Sequence, residues 1–314
     1  MQTSVAVSEA LEAGKLSSAP EDGALDFAVA WVAVVVVSLA VAAACVVVSF
    51  DARARQPGRL RRVHDLGPSM RGARLLLAFF AGLLAAAEIL RLPFFRRAVA
   101  SPRRHVVPCL AYPLVAHGVA EPCFLATVLL LLRASTGRAR LPAAALAVPL
   151  ACLPFLTGHV AILVVPAGVA AYPGQLAHAA DVDEHCAYPA YAATLLLALA
   201  AVYAPLLASA CWTVAAVAIN RRMRARAYAL VALVVVPFPV QVVALALTSV
   251  WETPRRTSPT VGLVGFLAAA IAAGAALAIL VLLPIYDALV LGEEEQLPLA
   301  PVAAAGEEAR ELDR

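Results

Sequence analysis

The chain has 314 residues, 63% of them hydrophobic and only 14% charged, with a mean hydropathy of +0.86. Soluble domains carry about a quarter charged residues, so an ordinary water-soluble fold is excluded. Unbroken runs such as VAVVVVSLAVAAACVVV exclude a transmembrane β-barrel, whose strands alternate. The net charge of +3 sits in short connections between apolar runs, not on one basic face, which argues against nucleic-acid binding.

Apolar runs of about eighteen or more residues read as membrane-spanning helices. Taken in order they predict an all-α, polytopic transmembrane bundle of seven spans, at about 27–50, 73–95, 106–132, 141–165, 190–219, 227–250 and 261–286. Ahead of them, residues 1–26 are polar and acidic, with Lys15 as the lone base. They lack the basic start of a secretory signal and the arginines of a transit peptide, and are expected to be a disordered tail. The connection after the first span is basic and includes Arg59, Arg61 and Arg62.

The second span contains AAAEILRLPFFRR, with Glu88 and Arg91 three apart and therefore on one helical face. A lone charge in mid-bilayer costs roughly 2.5–3.5 kcal/mol on insertion scales. The two residues are expected to neutralise each other, with Arg91 reaching toward the interface. Such a pair reads either as a clamp between helices or as a contact for a ligand or ion. The third span carries AHGVAEPCFL, where His117 and Glu121 share a face and Pro122 deprives the Gly118 carbonyl of its helical donor. Spans two and three run antiparallel, so Glu88, Arg91, His117 and Glu121 are expected to form one buried polar cluster. Simple helix–helix adhesion is the competing reading. The span closes on LLLLRAS with Arg133.

The stretch 141–172 holds His159, Pro149, Pro154 and Pro166 and reads as one kinked span with an extension. The loop that follows, GQLAHAADVDEHCAYP, is acidic. Its His178, Asp181, Asp183, Glu184, His185 and Cys186 match no established metal-ligand spacing, so a solvated loop is expected and no metal is assigned. Cys186 and Cys109, at the outer start of the third span, are positioned for a disulfide if the protein passes through an oxidising compartment. Cys45, Cys123, Cys152 and Cys211 fall within spans and read as small packing residues. NRRMRAR contributes a basic loop of Arg221, Arg222, Arg224 and Arg226, suited to a cytosolic partner or to anionic headgroups. Residues 287–314, including GEEEQ, read as a disordered acidic tail.

Lysine and arginine concentrate in the connections 51–72, 133–140 and 220–226, with the arginines at 96–104 as the main exception. By the positive-inside rule the N-terminus is expected outside and the C-terminus in the cytoplasm.

HDLGPSMRGARLLLAFFAGLLAAAEILRLPFFRR (His64 to Arg97) and EPCFLATVLLLLRAS (Glu121 to Ser135) resemble a land-plant family of seven-span membrane proteins of unknown biochemistry. Some such families have been discussed as candidate G-protein-coupled receptors. The resemblance implies an N-outside seven-helix bundle and brings no ligand or catalytic residues. Arg133 lacks the flanking Asp and Tyr of rhodopsin-like receptors. Pro284 and Tyr286 stand one residue closer than in N-P-x-x-Y, with no Asn.

No nucleophile–base pair, H-E-x-x-H motif or glycine-rich phosphate loop is visible, so an enzyme is not expected, nor a cofactor. The sequence points to a receptor-like protein or membrane scaffold of the plasma membrane or secretory-pathway endomembranes. Its expected partners are the lipid bilayer and a cytosolic protein bound through the basic loops and acidic tail. The alternative is a proton-coupled or small-solute transporter or channel built on Glu88, Arg91, His117 and Glu121.

Overall fold

The structure is a computed structural model that describes residues 2–54, 68–92, 95, 111–135, 141–164, 190–218, 220–250 and 258–294, and the regular structure among them is helical. The helices are α1 (Gln2–Ala54), α2 (Pro68–Arg91), α3 (Ala111–Ser135), α4 (Leu141–Val164) and α5 (Ala190–Val217). Helix α6 starts as Arg221–Leu230, passes through a widened π turn at Val231–Val235 and resumes as Pro237–Val250. Helix α7 is likewise built from Ser258–Ala276, a π turn Leu277–Leu282 and Leu283–Glu294.

Six of these are long and apolar enough to cross a membrane. The remaining one, α4, has 24 residues and contains the shorter apolar stretch Ala147–Ile162. Large apolar side chains point away from the bundle: Trp212 is 71% exposed, and Leu150, Leu197 and Ile271 are exposed with it. No soluble protein tolerates such a surface, whereas acyl chains solvate it. Phe27 and Trp31 sit on the outer surface near the start of the apolar part of α1, where aromatic rings favour the membrane interface. The chain is an integral membrane protein.

Packing follows small residues. On α1 the buried positions are Val29, Ala33, Val36, Ala40, Ala43 and Val47, an alternating four-and-three spacing that keeps one seam against neighbouring helices. A Cβ on Gly82 of α2 would stand 3.4 Å from that of Ala40. Lipid is as apolar as the side chains, so close backbone approach and dispersion hold such helices together. Helix α3 is central, packed on α2, α4 and α5. Every residue from Glu121 to Leu129 is buried, as expected of a helix apolar on all sides.

Several expectations need correction. The stretch 2–26, expected as a disordered tail, is continuous with α1; its alanines, leucines and glutamates are good helix formers. Arg221, Arg222, Arg224 and Arg226 are not in a loop but form the first turns of α6. Asn220 caps this helix, its side chain accepting from the Arg222 amide at 2.9 Å. Arg133 lies within α3. Residues 287–294, expected in the acidic tail, continue α7. Charge expels a residue from the bilayer core but does not end a helix.

Three prolines are accommodated by one device. The π turns at Leu114–Ala120, Val231–Val235 and Leu277–Leu282 end two residues before Pro122, Pro237 and Pro284. In each, the residue just before the proline donates its amide five residues back: Glu121 to Ala116, Val236 to Val231 and Leu283 to Ala278. A proline ring clashes with the carbonyl four residues earlier and offers no donor. The extra residue in the turn relieves both problems without breaking the rod.

Candidate functional site

The π turn in α3 aligns the polar side chains. In a regular helix Tyr112 and His117, five residues apart, would point about 140° away from each other. The wider turn brings their rings edge to face at 5.7 Å. His117 Nδ1 lies 2.6 Å from Glu121 Oε2, within hydrogen-bond length. Both residues are deeply buried, at 3% and 2% exposure.

Tyr112 joins this pair to α2. Its hydroxyl donates to Glu88 Oε1 at 2.6 Å, a length typical of a charge-assisted bond to a carboxylate. Arg91 Nη1 is 3.7 Å from Glu88 Oε2, beyond hydrogen-bond length, and Glu88 Oε2 is a buried acceptor with no hydrogen bond. The Arg91 guanidinium instead lies 5.7 Å from the centre of the Tyr112 ring. Asp26 of α1 is within electrostatic reach of Arg91. Helix α7 makes room through Gly262, where a Cβ would stand 2.9 Å from Arg91 Nη2.

The string continues into α4 and α5. A Cβ on Gly118 would lie 3.6 Å from the His159 ring, ordinary van der Waals contact, so the imidazole packs against α3 beside His117. His159 Nδ1 donates to the Phe155 carbonyl at 2.9 Å, which leaves Nε2 as the acceptor of the neutral ring. That nitrogen is buried without a partner among the described residues, as is the Tyr191 hydroxyl. The two rings meet edge to face at 5.9 Å. Polar side chains of four helices thus line one path, in which the hydrogen-bonded pairs Glu88–Tyr112 and His117–Glu121 are joined by ring packing, with Arg91, His159 and Tyr191 beside them.

All four residues singled out in the sequence, Glu88, Arg91, His117 and Glu121, lie along this path. Tyr112, the joint between the two pairs, escaped sequence reasoning, because a tyrosine near a span end looks like an interfacial residue. His159 had no visible neighbour, and Tyr191 and Gly262 carried no signal at all. The one usable clue to Tyr112 was its five-residue distance from His117 ahead of Pro122. Cys109 and Cys186, the acidic loop with His178, Asp181, Asp183, Glu184 and His185, and Arg59, Arg61 and Arg62 lie outside the described residues. Cys45, Cys123, Cys152 and Cys211 are free thiols. Among the described residues no group of three His, Cys, Asp or Glu is placed to hold a metal ion.

Arg221, Arg222 and Arg224 are exposed at the start of α6, while Arg226 pairs with Asp287 of α7 at 2.7 Å. Arg71 pairs with Asp51 of α1, and Arg133 is exposed on α3. The antiparallel order of the helices gathers these cations at one end of the bundle, opposite the polar string.

Fold and site together define a polytopic helical membrane protein with an ionisable path enclosed near one end. The chain belongs to the family described as uncharacterised conserved protein UCP031277, which it matches over residues 1–298. No curated protein and no solved structure matches it.

Proposed function

We propose that the chain is a seven-span protein, N-terminus outside and C-terminus cytoplasmic, that carries a small charged solute in a proton-coupled manner through the buried string. One observation supports this above all: Tyr112 links two proton-holding pairs, Glu88–Tyr112 and His117–Glu121, inside the most enclosed helix. Ionisable groups are costly in a bilayer and earn their place when they bind or relay charge. A clamp between helices would need one pair, whereas this path extends through four helices and holds two buried acceptors without a hydrogen bond, His159 Nε2 and Glu88 Oε2. Arg91 supplies the only arginine charge on the path and suits a carboxylate or phosphate on the solute.

The test is flux in liposomes holding the purified full chain and a pH-sensitive dye, under an imposed pH gradient and with a panel of small anions and zwitterions. Wild type is expected to acidify the lumen in a solute-dependent way. Glu121→Gln keeps a hydrogen-bonding partner for His117 but cannot ionise, and is expected to fall to the level of empty liposomes while folding normally. Glu121→Gln running at the wild-type rate would refute the reading.

A receptor-like or scaffolding role has its own support in the exposed Arg221, Arg222, Met223 and Arg224. The Arg226–Asp287 pair ties this basic turn to α7, so an event in the bundle can be felt there. Capture of a defined cytosolic protein on this turn, with no flux, would favour that role, at the plasma membrane or a secretory-pathway endomembrane.

A further inference from the structure

Arg74 lies on α2 far from the polar string, six residues from the helix start and hence about 9 Å along the axis. Its side chain is only 7% exposed, and its Nε is buried with no hydrogen bond. Arg71, one turn earlier on the same face, takes Asp51. No carboxylate among the described residues pairs with Arg74. A cation enclosed in this way normally has a counter-charge. The same end of the bundle carries more charge of its own sign, on the exposed Arg53 and Arg133.

We propose that Arg74 anchors an anion site at the basic end of the bundle, and that the site takes a phosphate group. The guanidinium fork matches two phosphate oxygens with parallel N–H donors, and a partly desolvated site strengthens each bond. Arg71 and Arg133 add a field that draws anions to this end. Two sources carry the same chemistry there: the headgroup of an anionic phospholipid in the adjoining leaflet, and free inorganic phosphate.

The experiment reads the thermal unfolding of the full chain in nanodiscs. Discs of phosphatidylcholine alone are compared with discs containing phosphatidylglycerol, and with phosphatidylcholine discs in buffer with added inorganic phosphate. A rise in the midpoint with phosphatidylglycerol assigns the site to lipid; a rise with inorganic phosphate alone assigns it to the free ion. Arg74→Met is expected to abolish the rise, Arg74→Lys to weaken apparent anion affinity about tenfold, and Arg224→Met, at an exposed arginine, to retain it. If Arg74→Met does not fold, Arg74→Lys set against Arg224→Met decides. The proposal falls if wild type responds to neither anion, or if Arg74→Met or Arg74→Lys responds like wild type. It also falls if Asp65→Asn, in phosphatidylcholine alone, lowers the midpoint as much as Arg74→Met, since the chain would then supply its own counter-charge.

Discussion

Arg91 owes its position to the absence of a side chain on another helix. Its guanidinium occupies the space where a Cβ on Gly262 would stand, at 2.9 Å, and from there it reaches Tyr112 and approaches Glu88. Gly262→Ala therefore forces the flexible end of Arg91 to move while the backbone stays in place. Stability is expected to change by no more than about 1 kcal/mol, because a long side chain relocates cheaply. Solute-dependent flux is expected to drop severalfold, with the loss in apparent solute affinity. A large fall in unfolding temperature with unchanged affinity would mean that the glycine serves packing alone. The sequence displays half of this arrangement. Glu88 with Arg91, and His117 with Glu121, are conspicuous because ionisable residues stand out in apolar runs and their spacings fix a shared face. Tyr112, His159 and Gly262 are invisible there, because their contacts are made between helices and each residue type is unremarkable where it stands.

Among the helices, legibility divides along the same line between local and tertiary causes. Apolar runs mark where rods cross the bilayer core, since hydropathy acts residue by residue. They do not mark where the rods end: arginine is a good helix former, and with Asn220 as a cap the basic segment Arg221–Leu230 winds as readily as the apolar one behind it. Proline disrupts the regular helical ladder, and in α3, α6 and α7 the structure puts continuous π turns just before one. In α3 that turn sets the register of the site. Pro122→Ala restores an amide donor to the Gly118 carbonyl and removes the steric reason for the wide turn. The turn is expected to tighten to α geometry, swinging Tyr112 away from His117 by roughly the 100° of one residue. A double-mutant cycle with Tyr112→Leu and His117→Leu, each of which removes one ring of the pair, tests this. Edge-to-face ring pairs couple by about 0.5–1.5 kcal/mol, so wild type should show coupling of that size and the Pro122→Ala background close to none. Undiminished coupling would mean that tertiary packing, not the proline, holds the π turn.

At the level of the whole molecule, charge is sorted between two ends. One end holds Arg53, Arg71, Arg133 and the basic start of α6, braced by the Arg71–Asp51 and Arg226–Asp287 pairs. The other holds Glu88, Arg91, Tyr112 and Tyr191 in a string that neutralises itself within the bundle. Basic connections stay on the cytoplasmic face during insertion because moving them across is costly and the anionic leaflet attracts them. The arginines at 96–104 oppose this sorting in the sequence, but Arg91 beside them is already matched to Glu88 and Tyr112, so their segment adds charge to a single connection only. On the proposed seven crossings the two termini lie on opposite faces. Epitope tags at residue 1 and after residue 314, probed with protease in sealed vesicles of known orientation, are expected to show the N-terminal tag outside and the C-terminal tag in the cytoplasm. Both tags on one face would reduce the crossings to an even number. The helix to lose its crossing would be α4, whose apolar stretch Ala147–Ile162 is the shortest. His159 would then leave the membrane and the string would end at Glu121, so the same measurement decides both the number of spans and the length of the path.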